Sequence, residues 1–298
     1  MKAPRNLTAL ASGLVFTSAC IWGLVWWPIR FFVEQGIPGT WAVATMNLLA
    51  GAALAAFVAY DWRHQSPHLR RGILIGVLTG AAFACYFAAL IHGSVIRATL
   101  LFYLTPIWAT LLGIWLLGEQ ADWRRWSAIV LGLVGLGCLL SGDHSQPLGA
   151  ADVLAVASGV LWALGGAAIK SRGDLPVAGM AMLQYLFLVL FTFGLGLALG
   201  DARLPDPALL LANLPALSAF ALLVYVPAVI LLFWASRILY PGRVGILMMS
   251  EVYVAILSAS LLLPDERMVA VQWLGAALII AAGVIEVFPK QGRATTAD

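Results

Sequence analysis

Charge is what this sequence has least of. Its 17 Lys and Arg and 14 Asp and Glu make 10% of 298 residues, where a soluble chain carries about 25%. With 62% hydrophobic residues, that scarcity excludes an ordinary soluble α/β protein. Cysteine is rare too. Cys20, Cys85 and Cys138 are an odd number, lie within apolar runs and lack zinc spacing, so they imply neither a disulfide framework nor a structural zinc. The histidines, His64, His68, His92 and His144, fall in loops or at the ends of apolar runs. No Ser-His-Asp set or Walker sequence stands out, and Gly194-Leu195-Gly196 lies inside an apolar run, where a nucleotide loop does not form. No metal and no cofactor is expected.

What the chain has in abundance is apolar length. Ala98 to Glu119 is an uncharged run entered after Arg97 and closed by Gly118-Glu119, long enough to cross a bilayer core at about 1.5 Å per helical residue. Within it Thr99, Tyr103, Pro106 and Thr110 recur at spacings of four, three and four, which places them on one face of a continuous helix. A second copy runs from Gly245 to Glu266. Seven residues beyond each Glu stands a Trp, Trp126 and Trp273, at an offset of 147 residues. Ser18, Trp22, Leu24, Ile29 and Arg30 likewise match Ser158, Trp162, Leu164, Ile169 and Lys170 at an offset of 140. The chain is a duplicated membrane module.

Ten apolar spans follow: Thr8–Ile29, Thr40–Tyr60, Gly72–Ile91, Ala98–Leu117, Trp126–Ser141, Ala150–Ile169, Val177–Leu199, Pro215–Ser236, Val244–Leu263 and Val271–Phe288. With the N-terminus inside, thirteen Lys and Arg fall on the inner side and four (Arg30, Arg97, Arg203 and Arg267) on the outer. The positive-inside rule therefore puts both termini in the cytoplasm. Five spans per half is odd, so the halves enter the membrane from opposite sides, an inverted-topology repeat with its site expected near midplane. The expected division is a first repeat at 1–145, a second at 146–288 and a cytoplasmic tail at 289–298. Lys2 and Arg5 before an apolar run resemble a signal sequence, but the run is too long and holds Trp22, Trp26 and Trp27. Gly72, Gly76 and Gly80 form a small-residue face for close helix packing. Asp206–Asn213 reads as a short outer helix capped by Asp206, ending before Pro215.

Glu251 is the acidic residue well inside a span, and ionisable groups at that depth face a cavity or a partner. It reads either as a binding group for an ammonium or a proton carrier, or as a carboxylate paired with Arg243 or a hydroxyl. Trp26, Trp27, Trp41, Trp62, Trp123, Trp126 and Trp273 read as interfacial anchors. Tyr86, Tyr103, Tyr225 and Trp162 lie at mid-depth, where each buried hydroxyl needs a partner. Cavity lining and interhelical packing both remain open for them.

Tyr103-Leu104-Thr105-Pro106, Leu116-Leu117-Gly118-Glu119 and Trp22-Gly23, in that duplicated frame, resemble the drug/metabolite transporter superfamily, EamA type. The likeness covers about residues 8 to 288, and within the superfamily the chain is most similar to bacterial aromatic amino acid exporters. That resemblance implies an all-α integral membrane fold of ten transmembrane helices, two inverted five-helix repeats around a central cavity, and alternating access. Tyr253 stands where the second copy often has Pro, which leaves open whether both halves bend alike.

The expected function is export of aromatic or apolar amino acids across a bacterial inner membrane. The third, fourth, eighth and ninth helices would wall the cavity, and the first and sixth would gate it. Expected substrate-binding residues are Asn47, Thr79, Phe83, Tyr86, Thr99, Tyr103, Trp162, Tyr225, Ser250, Glu251 and Tyr253. The expected partners are the substrate and the lipid bilayer, with no nucleic acid, and a monomer suffices. Three rivals stand: a quaternary ammonium exporter built on Glu251 and aromatic rings, a sugar-phosphate exchanger, which would want Lys or Arg within a span, and a membrane-embedded enzyme, which would need an acid–base or metal pair.

Overall fold

The structure is a computed structural model that describes residues 5–118, 123–141, 148–172, 174–263 and 268–287. Glu119 and Glu266, which close the two repeat signatures, lie outside the described residues. Among the described residues the chain is helical, without strands: α1 (Arg5–Trp22), α2 (Trp26–Glu34), α3 (Gly39–Tyr60), α4 (Trp62–His92), α5 (Val95–Phe102), α6 (Thr105–Leu117), α7 (Trp123–Ser141), α8 (Ala150–Ser171), α9 (Val177–Leu199), α10 (Pro207–Phe220), α11 (Val226–Ile238), α12 (Pro241–Met248), α13 (Ser250–Leu262) and α14 (Ala270–Val287). Stacked end to end where a helix is interrupted, they form ten columns. Eight are long and apolar enough to cross a membrane: Asn6–Glu34, Gly39–Tyr60, Trp62–His92, Val95–Leu116, Ala150–Ser171, Val177–Leu199, Pro207–Ile238 and Arg243–Leu262. The remaining two, α7 and α14, pack along each other. At 31 residues α4 is roughly 46 Å long, so its Arg-bearing first turns extend past the bilayer core.

Three columns are broken, and each break has a local cause. Pro28 has no N–H for the Leu24 carbonyl, which the Trp27 N–H takes at 3.1 Å, so α1 ends at Trp22 and α2 restarts at Trp26. Pro106 likewise orphans the Phe102 carbonyl, and the Thr105 hydroxyl donates to it. The repeat-related break, at Met249 between α12 and α13, forms without proline. There the Val252 N–H bonds the Met249 carbonyl instead of that of Met248. The Ser250 hydroxyl donates to the Leu247 carbonyl at 2.8 Å, and the Tyr103 hydroxyl reaches the Met248 carbonyl. Both halves are therefore interrupted, one by proline and one by hydroxyl donors.

The eighth column corrects the expected outer helix. It does not stop at Asn213: α10 runs from Pro207 through Pro215 and continues by a π turn, Ala221–Tyr225, into α11. Asp206 does cap it, accepting from the Ala208 N–H at 2.9 Å. Pro215 lies inside α10 and leaves the Leu211 carbonyl without its helical donor.

The repeat is visible in two clamps. Arg30 donates to the carbonyls of Leu90 and Gly93 at the end of α4, at 3.4 and 3.2 Å. Lys170, its match in the second half, donates to the carbonyls of Arg237 and Ile238 at the end of α11, at 3.3 and 2.8 Å. Each cation sits at the negative end of the third helix of its own half. The halves meet where Gly72, Gly76 and Gly80 lie against α9. A Cβ at Gly76 would come within 2.7 Å of Leu183, and one at Gly80 within 2.7 Å of the Leu188 nitrogen, which is the close packing expected of that face.

Candidate functional site

The breaks converge on Glu251, which lies in the first turn of α13 and is 2% exposed. Tyr86 of α4 donates to its Oε1 at 3.1 Å and Tyr103, at the α5–α6 break, to its Oε2 at 2.7 Å. The Tyr103 hydroxyl has one proton for both this oxygen and the Met248 carbonyl. Thr99 Oγ1 is 3.1 Å from the Tyr86 hydroxyl and extends the chain of hydroxyls. Gly23, in the α1–α2 break, packs on the same point: a Cβ there would lie 2.7 Å from the Glu251 carbonyl oxygen and 2.6 Å from the Val254 Cβ. Arg243, the alternative partner for the carboxylate, is exposed, so Glu251 pairs with hydroxyls.

Beside the carboxylate is a narrow chamber. Its walls are Ala82, Phe83 and Tyr86 of α4, Phe102 of α5, Ser158 and Trp162 of α8, and Met248 and Glu251 at the α12–α13 break. Phe83 is its aromatic hub, with ring centroids 4.7 Å from Trp22 and 5.3 Å from Trp162, the two tryptophans related by the repeat. Tyr86 and Phe102 meet at 4.9 Å. A second narrow space lies beyond Trp162, between α6, α8, α11 and α12, and Trp162 is shared by both. No Lys or Arg lines either space among the described residues. The site can hold a cation against a carboxylate, fix it by ring faces, and present hydroxyls to a further polar group.

Of the residues expected from sequence, the structure brings Phe83, Tyr86, Thr99, Tyr103, Trp162 and Glu251 together. Tyr225 stands one layer back, its ring 6.1 Å from Phe87 and 5.7 Å from Trp22. Ser250 adjoins Glu251, but its hydroxyl is spent on the Leu247 carbonyl. Thr79 donates to the Ile75 carbonyl, and its methyl lies where a Cβ at Gly165 would be, so it serves the α4–α8 contact. Asn47 is buried on α3 and donates to the Val43 carbonyl at 2.8 Å, away from the chamber walls. Tyr253 is half-buried and, two residues past Glu251, points to the other side of α13. The sixth helix is a wall as much as a gate. The stripe Thr99–Thr110 is interrupted by the break: Thr99 and Tyr103 belong to the hydroxyl chain at Glu251, while Pro106 and Thr110 line an apolar crevice with α7, which Tyr103 also borders.

Sequence reasoning missed Ser158, Phe102 and the packing role of Trp22; the offset of 140 that pairs Trp22 with Trp162 was the signal for it. Trp26 is corrected from surface anchor to core residue. It is 3% exposed, and its indole N–H donates to Ser258 Oγ at 3.0 Å. His64 and His68 are four residues apart at the start of α4, with rings 6.1 Å apart; among the described residues no third ligand joins them.

Residues 9–141 and 149–287 each match the model of the EamA-like transporter family. An uncharacterized transporter of Pseudomonas aeruginosa is 28% identical over 131 residues, which cover 41% of this chain and 43% of that protein. The match thus spans less than half of that relative's length. A solved crystal structure, titled only as that of a protein, aligns over 93% of this chain and 96% of its own with a TM-score of 0.64 and 20% identity, a likeness of fold.

Proposed function

The chain belongs to the EamA-like transporter family, and on that premise we propose that it exports small zwitterions, aromatic and apolar amino acids first among them, across a bacterial inner membrane. It is a multi-pass membrane transporter of small molecules. The carrying observation is Glu251, a buried carboxylate held by two tyrosine hydroxyls in a wall of aromatic rings. A carboxylate at that depth costs ~3 kcal/mol on insertion scales and is retained where it meets a ligand or a partner. In this reading it takes the substrate ammonium, and Phe83, Tyr86 and Trp162 take the side chain. With both termini cytoplasmic, the space beyond Trp162 lies toward the inner face, beside Lys170 and Arg237, and forms the entry for export. Rocking of the two repeats about the broken helices exposes the chamber to each side in turn.

A carboxylate among ring faces also suits organic cations, and this second reading is separated by experiment. Proteoliposomes loaded with unlabelled tryptophan should accumulate labelled tryptophan by counterflow, with competition from phenylalanine and none from tetraethylammonium. Accumulation of the cation alone would give the site to organic cations. Glu251→Gln should weaken tryptophan binding roughly tenfold or more, since hydrogen bonds to charged groups contribute about 1.5–3 kcal/mol. Proton coupling through Glu251 requires that the pH dependence of transport disappear in the same variant; an unchanged pH profile rules that role out.

A further inference from the structure

The two halves carry a matched pair of serines, Ser18 on α1 and Ser158 on α8, each four residues before its tryptophan. They are used differently. Ser18 is buried and donates to the Ala228 carbonyl at 2.9 Å, tying α1 to α11. Ser158 is 0% exposed, and its hydroxyl has no hydrogen-bond partner. Several span hydroxyls satisfy themselves on the carbonyl four residues back, Thr79 on Ile75, Ser218 on Leu214 and Ser236 on Leu232; those of Thr192 and Tyr225 are also without a partner, but neither residue lines the chamber. Ser158 does not, although it stands in the chamber wall with Glu251.

Burying a hydroxyl without a partner is unfavourable, so an unpartnered one in a cavity wall points to a ligand group that completes it. Its position is also fixed. The next residue, Gly159, lies so close to the α5–α6 break that a Cβ would come within 2.8 Å of both the Phe102 carbonyl and Thr105 Oγ1. The backbone of α8 is thereby seated on the break, and the Ser158 hydroxyl has a set place relative to Tyr86 and Glu251. Of the other polar residues expected to bind substrate, the Ser250 hydroxyl donates to the Leu247 carbonyl and the Asn47 amide to that of Val43.

We infer that the Ser158 hydroxyl donates to the carboxylate of the substrate while Glu251 holds its ammonium, making Ser158 the residue that distinguishes an amino acid from the amine lacking its carboxylate. This rests on the amino-acid reading above. It also assigns the two repeat-related serines opposite tasks, one structural and one for recognition.

The test compares wild type, Ser158→Ala and Ser18→Ala in two assays. In the first, thermal midpoints are read without substrate. Ser158→Ala should match or exceed wild type, because no hydrogen bond is lost, whereas Ser18→Ala should fall below it. In the second, tryptophan counterflow is measured with tryptamine as competitor. Ser158→Ala should weaken tryptophan by roughly tenfold or more and raise the ratio of tryptophan to tryptamine half-saturation by the same factor. A Ser158→Ala protein that is destabilised like Ser18→Ala, or that weakens both ligands equally or neither, overturns the inference. Wild type that moves no tryptophan overturns the amino-acid reading itself.

Discussion

Replacing Gly23 with alanine tests whether the broken first helix supports the site. The Cβ would lie 2.6 Å from the Val254 Cβ and 2.7 Å from the Glu251 carbonyl oxygen, well inside van der Waals contact. Neither neighbour yields easily. One is a backbone atom, and the other is the branch point of a residue with restricted χ1. Overpacking of this kind costs about 1–3 kcal/mol, and relief requires moving α13 away from α1, carrying the carboxylate with it. The same column contains a control. Gly13 is exposed, and a Cβ there meets nothing within 4 Å, so Gly13→Ala should gain about 0.5–1 kcal/mol of helix propensity. The two substitutions add the same methyl to the same column and should shift the thermal midpoint in detergent in opposite directions. Gly23→Ala should also reduce transport, while Gly13→Ala leaves it at the wild-type level. Equal shifts, or a Gly23→Ala protein as stable and active as wild type, would refute the placement of α1 against α13.

Asp201 accepts from both the N–H and the hydroxyl of Thr40 at 2.9 Å and caps α3 from the end of α9; Asp201→Ala should cost about 1–2 kcal/mol in thermal or denaturant unfolding. Arg30→Ala and Lys170→Ala should each destabilise by up to about 2 kcal/mol, and midpoints of the two variants that fall together would mark the clamps as equivalent. Arg71 and Asp174 pair at 2.9 Å on the surface. Desolvation raises the Asp174 carboxyl, but the Arg71 hydrogen bond, a backbone hydrogen bond and the charges of Arg71 and His68 together leave it below its ordinary value. Whatever this pair contributes is therefore present at neutral pH and is lost only as pH falls through the acidic range of that carboxyl. Because the pair is exposed, Asp174→Asn should leave the midpoint at pH 7 within error.

Long apolar runs, the duplicated motifs and the cation bias carried the fold in the sequence, because each is set by the bilayer rather than by a particular neighbour. The site was legible only in part. Tyr86 and Tyr103 were marked by mid-depth hydroxyls and Glu251 by its depth, but which face each presents depends on helix phase, and phase is reset at the breaks. Tyr253 lies in the same helix as Glu251 but two residues on, so it points to the other side, and the stripe from Thr99 to Thr110, which spans a break, serves two spaces. Thr79 and the Asn47 amide nitrogen donate to carbonyls of their own helices, an outcome no spacing rule distinguishes from cavity lining. Ser158 was invisible alone, since only the absence of a partner in three dimensions sets it apart from Ser18.

The two clamps bear on the order of assembly during synthesis. Arg30 reaches residues 60 and 63 positions downstream, and Lys170 residues 67 and 68 downstream, all within the same half. The first clamp can close once α4 has emerged, before any of the second repeat exists. The glycine face of α4, whose partner is Leu183 and its neighbours, must wait for α9. Each repeat can thus be tied as a subassembly early, with α9 closing the joint between them late, as expected of a chain that folds from its N-terminus as it is made.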